Sequence, residues 1–257
     1  MKITLVGKKA LVGGSSSGIG KAIAIALAAC GAEVTLMARS EEALQRALSE
    51  LDVSHQQEHQ FLVSDFTDYE QHKSTIYHYF LNNSVDILVN NTNGPLSGGI
   101  FSKKESDYQS AFELLFQQAV FTSMMALPHM KAQGFGRIIN VSSMSVKEPR
   151  ATLVLSNTMR TALVSWSKSL ATEVAKDGIT VNSILTGFFD TQRLASLMEI
   201  EAEASGKSFE EVKAIRTAAI PAQRLGDPEE YGHLVTFLAS KYASFLTGTA
   251  IPLDGGA

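Results

Sequence analysis

One stretch near the start, LVGGSSSGIGKAIAIALAACGAEVTLMARS, narrows the folds open to this chain more than any other. An apolar run leads into Gly14, Gly18 and Gly20, spaced G-x-x-x-G-x-G, and then into a helix-forming run of small residues and a second apolar run. Glycine permits a tight turn from strand to helix. It also lets backbone N–H groups approach a bound anion where the helix N-terminus contributes partial positive charge. A glycine triplet alone is a weak signal, and an ordinary tight turn would carry it equally well. Set between strand and helix and followed by a second strand, it reads as the pyrophosphate-binding turn of a dinucleotide fold.

The rest of the chain keeps the same rhythm. KALVGG, AEVTLMA, QFLV, VDILVN, GRIINVSS and ITVNSIL are short β-rich runs separated by periodic helical segments, and AIPLD adds a last strand near the end. Strand and helix in alternation predict βαβ units and a parallel sheet, and runs that are nearly all apolar predict strands covered on both faces. No linker, repeat or low-complexity tract divides residues 1–257, so the expectation is a single doubly wound α/β domain of Rossmann type.

The composition agrees and removes other classes of function. A length of 257 residues with 45% hydrophobic content suits one large domain with a full core. The formal charge of −4 supplies no basic field for nucleic acid or an anionic membrane surface. The start MKITLVGKKALVGG is broken by Gly and Lys, unlike a signal peptide, and no window offers the roughly 18 apolar residues of a membrane span. The sole cysteine, Cys30, lies in a small-residue run and is expected to pack as a small hydrophobe. A cytoplasmic protein without nucleic-acid or membrane partners is the expectation.

Two further features bear on ligands. The second strand ends LMARS, with Ala38 and Arg39 where an acidic residue would accept hydrogen bonds from a ribose 2′-hydroxyl. A cation there favours NADP(H) over NAD(H), although an exposed Arg can also serve no ligand. Asp65 in VSDFTD is placed to receive an adenine amino group or to cap a helix. From 191 to 226 the chain is Glu- and Ala-rich with no strand, which predicts a helical insertion covering a substrate, or a plain surface elaboration.

With GGSSSGIG, VDILVNN, GRIINVSS, DGITVNSILTGFFDT and the closing TGTAIPLDGG in that order, the sequence resembles the short-chain dehydrogenase/reductase family, in particular its 3-oxoacyl-acyl-carrier-protein reductase-like branch. The resemblance implies a seven-stranded parallel sheet, a nicotinamide cofactor, a small-molecule or acyl-thioester substrate, and a homotetramer or homodimer. It assigns Gly14, Ser16, Gly18, Ile19 and Gly20 to the cofactor turn and Arg39 to the specificity position. Asp65 becomes the adenine contact, Asn90 the Asn after the fourth strand, and Thr191 the residue that holds the nicotinamide carboxamide. Three positions depart from the family pattern: Gly13 stands for a Thr, NNTNG for NNAG, and Thr186 for the Pro of a Pro-Gly pair.

The larger departure is in the chemistry. The family reduces a carbonyl with a Ser, a Tyr, a Lys four residues beyond the Tyr, and an Asn. Ser143 in NVSS fits the Ser, and counting from it puts Ser156 at the Tyr position and Arg160 at the Lys position, with Leu115 where the Asn is expected and Gln117 and Gln118 nearby. The pair Tyr69 and Lys73 precedes Ser143 on an expected outer helix, and Lys168 lies too far along its helix to substitute for Arg160. A Ser hydroxyl is a far weaker acid than a phenol, and Arg cannot release its proton, although its planar fork can grip hydroxyls, a phosphate or a carboxylate.

Ser156 and Arg160 at i and i+4 share a helix face beside an apolar stripe of Leu155, Met159, Ala162, Leu163, Trp166 and Leu170. Capping by Ser156 or Asn157 and a solvated Arg160 would give the same pattern. Lys147, Glu148 and Arg150 follow Ser143 and form either a charged turn or the source of a replacement proton donor. Two readings result: an NADP(H)-dependent oxidoreductase with an atypical proton donor, and a catalytically impaired nucleotide- or metabolite-binding partner on the same scaffold.

Overall fold

The computed structural model describes residues 2–257, and among them seven strands form one all-parallel sheet in the order β3-β2-β1-β4-β5-β6-β7. The strands are β1 (Lys9–Gly13), β2 (Glu33–Ala38), β3 (Gln60–Val63), β4 (Ile87–Asn90), β5 (Gly136–Val141), β6 (Ile179–Thr186) and β7 (Ala250–Leu253), each on a run expected from the sequence. Their order reverses between β1 and β4, the place where a parallel sheet opens a crevice at its carboxyl ends.

Side chains alternate along each strand, and the two faces of the sheet carry separate cores. Ala10, Val12, Ile87, Val89 and Ile139 pack with α1 (Gly18–Ala29), α2 (Glu41–Leu48) and α9 (Pro228–Ala239). Leu11, Leu88 and Ile138 pack with α3 (Tyr69–Asn82), α5 (Gln118–Gln133) and α6 (Val154–Val174) on the other side. Coverage on both faces explains why the central strands are almost wholly buried. The expectation fails at the rims: β3 and β7 are only partly buried, because each has a neighbour on one side alone. Cys30 closes α1 and is half-buried rather than buried, with its thiol pushed up by desolvation.

Helix α9 lies close against α1 because Gly232 has no side chain. A Cβ at that position would stand 2.8 Å from the Ala26 Cβ and 2.9 Å from the Ala22 carbonyl oxygen. Helix α4 (Glu105–Phe112) runs through a π-helical segment, Glu113–Gln117, into α5, so the expected Asn position, Leu115, falls on the widened turn.

The segment 191–226 forms α7 (Gln192–Ser205) and α8 (Phe209–Ala218) without a strand, as its composition predicts. Leu194, Met198, Ala202 and Val212 give this pair a small core of its own, backed by Phe188, Phe209 and Leu225. Its two ends meet: Phe189 pairs with Gly226 in an isolated bridge, the Asp190 N–H donates to the Gly226 carbonyl at 2.8 Å, and the Gly226 N–H donates to the Phe188 carbonyl at 2.9 Å.

Candidate active site

A cavity of about 310 Å³ opens at the carboxyl ends of β1, β4, β5 and β6. Its wall combines Gly14, Gly18, Ile19 and Gly20 with Asn91–Gly94, Ser142, Ser143, Ser156, Arg160, Thr186 and Thr191. Residues far apart in the chain are thus gathered at one edge of the sheet, some directly after a parallel strand and others, Ser156 and Arg160, from helix α6 packed beside it.

At one end the backbone provides the anion site. Gly14 and Gly18 take positive φ values of +57° and +54°. Gly20 is required by space: a Cβ there would lie 2.1 Å from the Gly14 carbonyl oxygen. Helix α1 has Ser17 at its N-cap with no side-chain cap hydrogen bond, and no acidic residue in its first turn. Its leading N–H groups are therefore left for an anion rather than for the protein. The Asn91 side chain donates to the Gly13 carbonyl at 3.0 Å and so ties the turn to the loop after β4.

The sequence-expected residues divide. Gly14, Gly18, Ile19, Gly20, Ser143, Ser156, Arg160 and Thr191 line this cavity, whereas Ser16, Arg39 and Asp65 do not. Arg39 is exposed at the end of β2. Asp65 is half-buried after β3, and its carboxylate accepts from the Thr67 N–H at 2.9 Å and the Thr67 hydroxyl at 2.8 Å. Those bonds, with a smaller contribution from the Arg39 charge, hold the Asp65 carboxyl below the usual carboxylate range. The helix cap is Asp68, not Asp65. Asn90 turns its amide to Ser123 at 3.1 Å and Asn140 at 2.8 Å, and it lines a smaller inner cavity, leaving Asn91 on the main wall. Thr191 caps α7 by accepting from the Leu194 N–H at 3.2 Å.

Ser156 and Arg160 are neither cap nor solvated charge. The N-cap of α6 is Leu153, without a side-chain cap. Arg160 donates from Nε to Ser156 Oγ at 3.2 Å and from Nη1 to the Val141 carbonyl at 2.6 Å. Burial lowers the guanidinium's affinity for its proton, and among the described residues no carboxylate forms an ion pair with it. The neighbouring apolar stripe is also narrower than the sequence pattern: Leu155, Leu163 and Leu170 are buried, Met159 and Trp166 half-buried, and Ala162 exposed. The burial follows Leu155, Leu163, Ser167, Leu170 and Val174, a line that leaves Ala162 on the outer side.

Lys147, Glu148 and Arg150 are exposed and absent from the cavity wall, and Arg150 instead lies over the Phe188 ring at 4.8 Å. Two other groups, Ser142 and Tyr231, escaped the sequence reading, and Gln118 entered it only as a neighbour of the expected Asn position. The hydroxyl of Ser142 is buried without a hydrogen-bond partner. Tyr231, fully buried in α9, shares a 3.0 Å hydrogen bond with Thr186. Gln118, next to the vacant Asn position, is buried beside the inner cavity that also touches Arg160. Thr186 stands out in sequence as a departure from Pro. Tyr231, in contrast, reads as an ordinary core aromatic, because its partner lies 45 residues away.

Known proteins share this fold. The family described as Enoyl-(Acyl carrier protein) reductase matches residues 14–257. A 3-oxoacyl-acyl-carrier-protein reductase of Vibrio cholerae is 34% identical, with 99% of this chain and 98% of the relative covered. An uncharacterized oxidoreductase of Bacillus subtilis is 32% identical over 100% of this chain and 98% of its own length. The crystal structure of L-sorbose reductase from Gluconobacter frateurii, complexed with NADPH and L-sorbose, superposes with a TM-score of 0.92 at 31% identity, covering 100% of this chain and 98% of that one. Matches of this extent, on a sheet of this order, place the chain in the short-chain dehydrogenase/reductase family of oxidoreductases, in its 3-oxoacyl-acyl-carrier-protein reductase-like branch.

Proposed function

We propose that this protein is an NADP(H)-dependent oxidoreductase acting on a carbonyl or alcohol, with 3-oxoacyl thioesters among its candidate substrates, and with a proton donor other than the usual phenol. The carrying observation is one cavity that holds both the uncapped glycine-turn helix and Ser143. The residues fit a dinucleotide. Gly20 lets the turn close tightly against the Gly14 carbonyl, where no Cβ would fit, the α1 N-terminus is free of acids, and Arg39 offers a cation at the end of β2. NADPH-bound relatives of the same fold support the choice of NADP(H) over NAD(H).

When bound, the nicotinamide supplies hydride chemistry. The chain's own residues do the rest. Ser143 Oγ accepts from the Ser145 N–H at 3.1 Å, which leaves its proton to donate to a carbonyl oxygen at the end of β5. Charge developing on that oxygen is stabilised by the donated hydrogen bond and by the nearby Arg160 cation. Ser156 Oγ accepts from Arg160 Nε and presents its own proton to the cavity, while the final proton reaches the product oxygen from water in exchange with bulk solvent. Arg160 itself stays protonated throughout. Helices α7 and α8 form the lid over this edge, with Thr191, Gln192, Arg193 and Leu197 contributing to the wall. A cytoplasmic homotetramer or homodimer, the assembly usual in the family, completes the reading.

A second reading is favoured by a specific observation. The main cavity has no Tyr, His, Lys, Asp or Glu on its wall, so no lining side chain can give up a proton near neutrality. A nucleotide- or metabolite-binding partner without a redox step fits that wall. One experiment separates the two. NADPH and NADH are titrated separately by cofactor fluorescence, and the bound NADPH is then offered 3-oxoacyl thioesters, ketones and quinones. Oxidation by any substrate supports the enzyme. Tight NADPH binding with no turnover supports the binding protein, and failure of both nucleotides to bind refutes both readings.

A further inference from the structure

The wall formed by β5 and α6 presents donors with no acid to match them. Arg160 has carbonyl and hydroxyl partners at Nε and Nη1, and its Nη2 makes no hydrogen bond within the described residues. Ser156 Oγ accepts from that guanidinium, and Ser143 Oγ accepts from the Ser145 N–H, so both hydroxyl protons point to other acceptors. Ser142 is 3% exposed, lines the same cavity, and its hydroxyl has no partner at all. Leu153, also on the wall, starts α6 without a side-chain cap, and the first turn of this 21-residue helix contains no acid.

A half-buried cation and the hydroxyls of Ser143 and Ser156 form a receptor for negative charge. Arg224 and Arg216 pair with Glu230 and Glu201, and the buried Arg137 is satisfied by the Gly136, Gly178 and Ser240 carbonyls. Arg160 lines the cavity with Nη2 lacking any such partner, and a bound carboxylate would complete its fork. The cofactor's phosphates already have their places at the start of α1 and beside Arg39, on the far side of the glycine turn.

We infer that the substrate is itself an anion, a short oxo acid or the corresponding hydroxy acid, whose free carboxylate is bound by Arg160 and Ser156 beside Ser143. The inference rests on the nucleotide-binding reading above. It makes the replacement of a phenol and an ammonium by Ser156 and Arg160 a change of specificity: the shorter side chain leaves room for a carboxylate, and the guanidinium fork matches its geometry.

Binding without turnover tests this. NADPH and NADP⁺ affinities are measured first, and 3-hydroxybutanoate, 2-hydroxybutanoate and their methyl esters are then titrated into the NADP⁺ complex by calorimetry. At least one acid should bind tenfold or more tightly than its ester. That advantage should disappear in Arg160→Met, fall in Ser156→Ala, and survive in part in Arg160→Lys. Equal binding of acid and ester, or an advantage that persists in a folded Arg160→Met, overturns the inference, as does NADP⁺ binding with no affinity for any acid. If Arg160 serves only the cofactor, Arg160→Met weakens NADPH and leaves the acid-to-ester ratio unchanged, which also overturns it. Loss of the nucleotide reading would show separately in the first titration, and the same acid-to-ester comparison on the nucleotide-free protein would still decide the anion site.

Discussion

Replacing Tyr231 by Phe removes one oxygen from the middle of the protein and leaves the ring packing intact. The phenol is fully buried, its hydroxyl is 3.0 Å from Thr186 Oγ1, and its ring meets Phe189 edge-on at 5.3 Å. At pH 8 the variant loses one buried hydrogen bond, worth about 1 kcal/mol net. Thr186 lines the cavity and can turn to water, so no larger penalty follows. For a chain of this size a loss of that kind lowers Tm by roughly 2–4 °C. The difference should then depend on pH in a definite direction. Burial, opposed weakly by the Thr186 hydrogen bond and the Arg160 charge, raises the pKa of Tyr231 far above the ordinary 10.0. The folded protein holds the phenol neutral while the unfolded chain ionises it, so this contribution is complete below pH 10 and declines as pH rises above it. One pH unit above 10 costs the wild type about 1.4 kcal/mol, somewhat more than the hydrogen bond lost in the variant. Urea unfolding of both proteins from pH 8 to 11 should therefore show a gap of about 1 kcal/mol that closes before about pH 11 and is slightly reversed there. Other alkaline titrations cancel in the difference. A gap that stays constant across the range refutes the buried, neutral phenol.

Three further outcomes follow from the same geometry. His72 is buried between Ser64 and Thr122, and desolvation pulls its pKa down to about 4; wild type should lose on the order of 3 kcal/mol as pH falls from 6.5 to 4, a loss absent in His72→Gln when unfolding is followed over that window. Gly20→Ala should reduce NADPH affinity at least tenfold in a fluorescence titration, because its Cβ would lie 2.1 Å from the Gly14 oxygen and force the turn apart. Arg39→Asp should weaken NADPH at least tenfold more than NADH, and equal losses would show that Arg39 does not read the 2′-phosphate.

Much of the fold was legible because it depends on local pattern. Each central strand is buried on both faces and so carries a largely apolar run, from KALVG in β1 to ITVNSILT in β6. The partial exposure of β3 and β7 could not be read from their runs, because edge position is a property of the sheet order. The site divides in the same way. Glycine spacing identified the turn, and the count from Ser143 placed Ser156 and Arg160 on one cavity wall. What escaped were contacts between distant segments: Asn91 reaching back to Gly13, Tyr231 meeting Thr186, and the π-turn that carries Leu115. Nothing in the sequence near Ser142 distinguishes a hydroxyl with no partner from one that is hydrogen-bonded.

The bridge between Phe189 and Gly226 bears on how such a protein can diversify. Two backbone hydrogen bonds join the ends of the 191–226 excursion, and the helices between them have their own apolar centre. Closure entropy rises only slowly with the length of a loop whose ends are held, by about 0.6 kcal/mol for each doubling. A descendant could therefore exchange this cassette for a longer, shorter or differently charged one through a single in-frame event, leaving the sheet and nucleotide turn untouched. New substrates could then be acquired by grafting at one doorway, with no need to redesign the house.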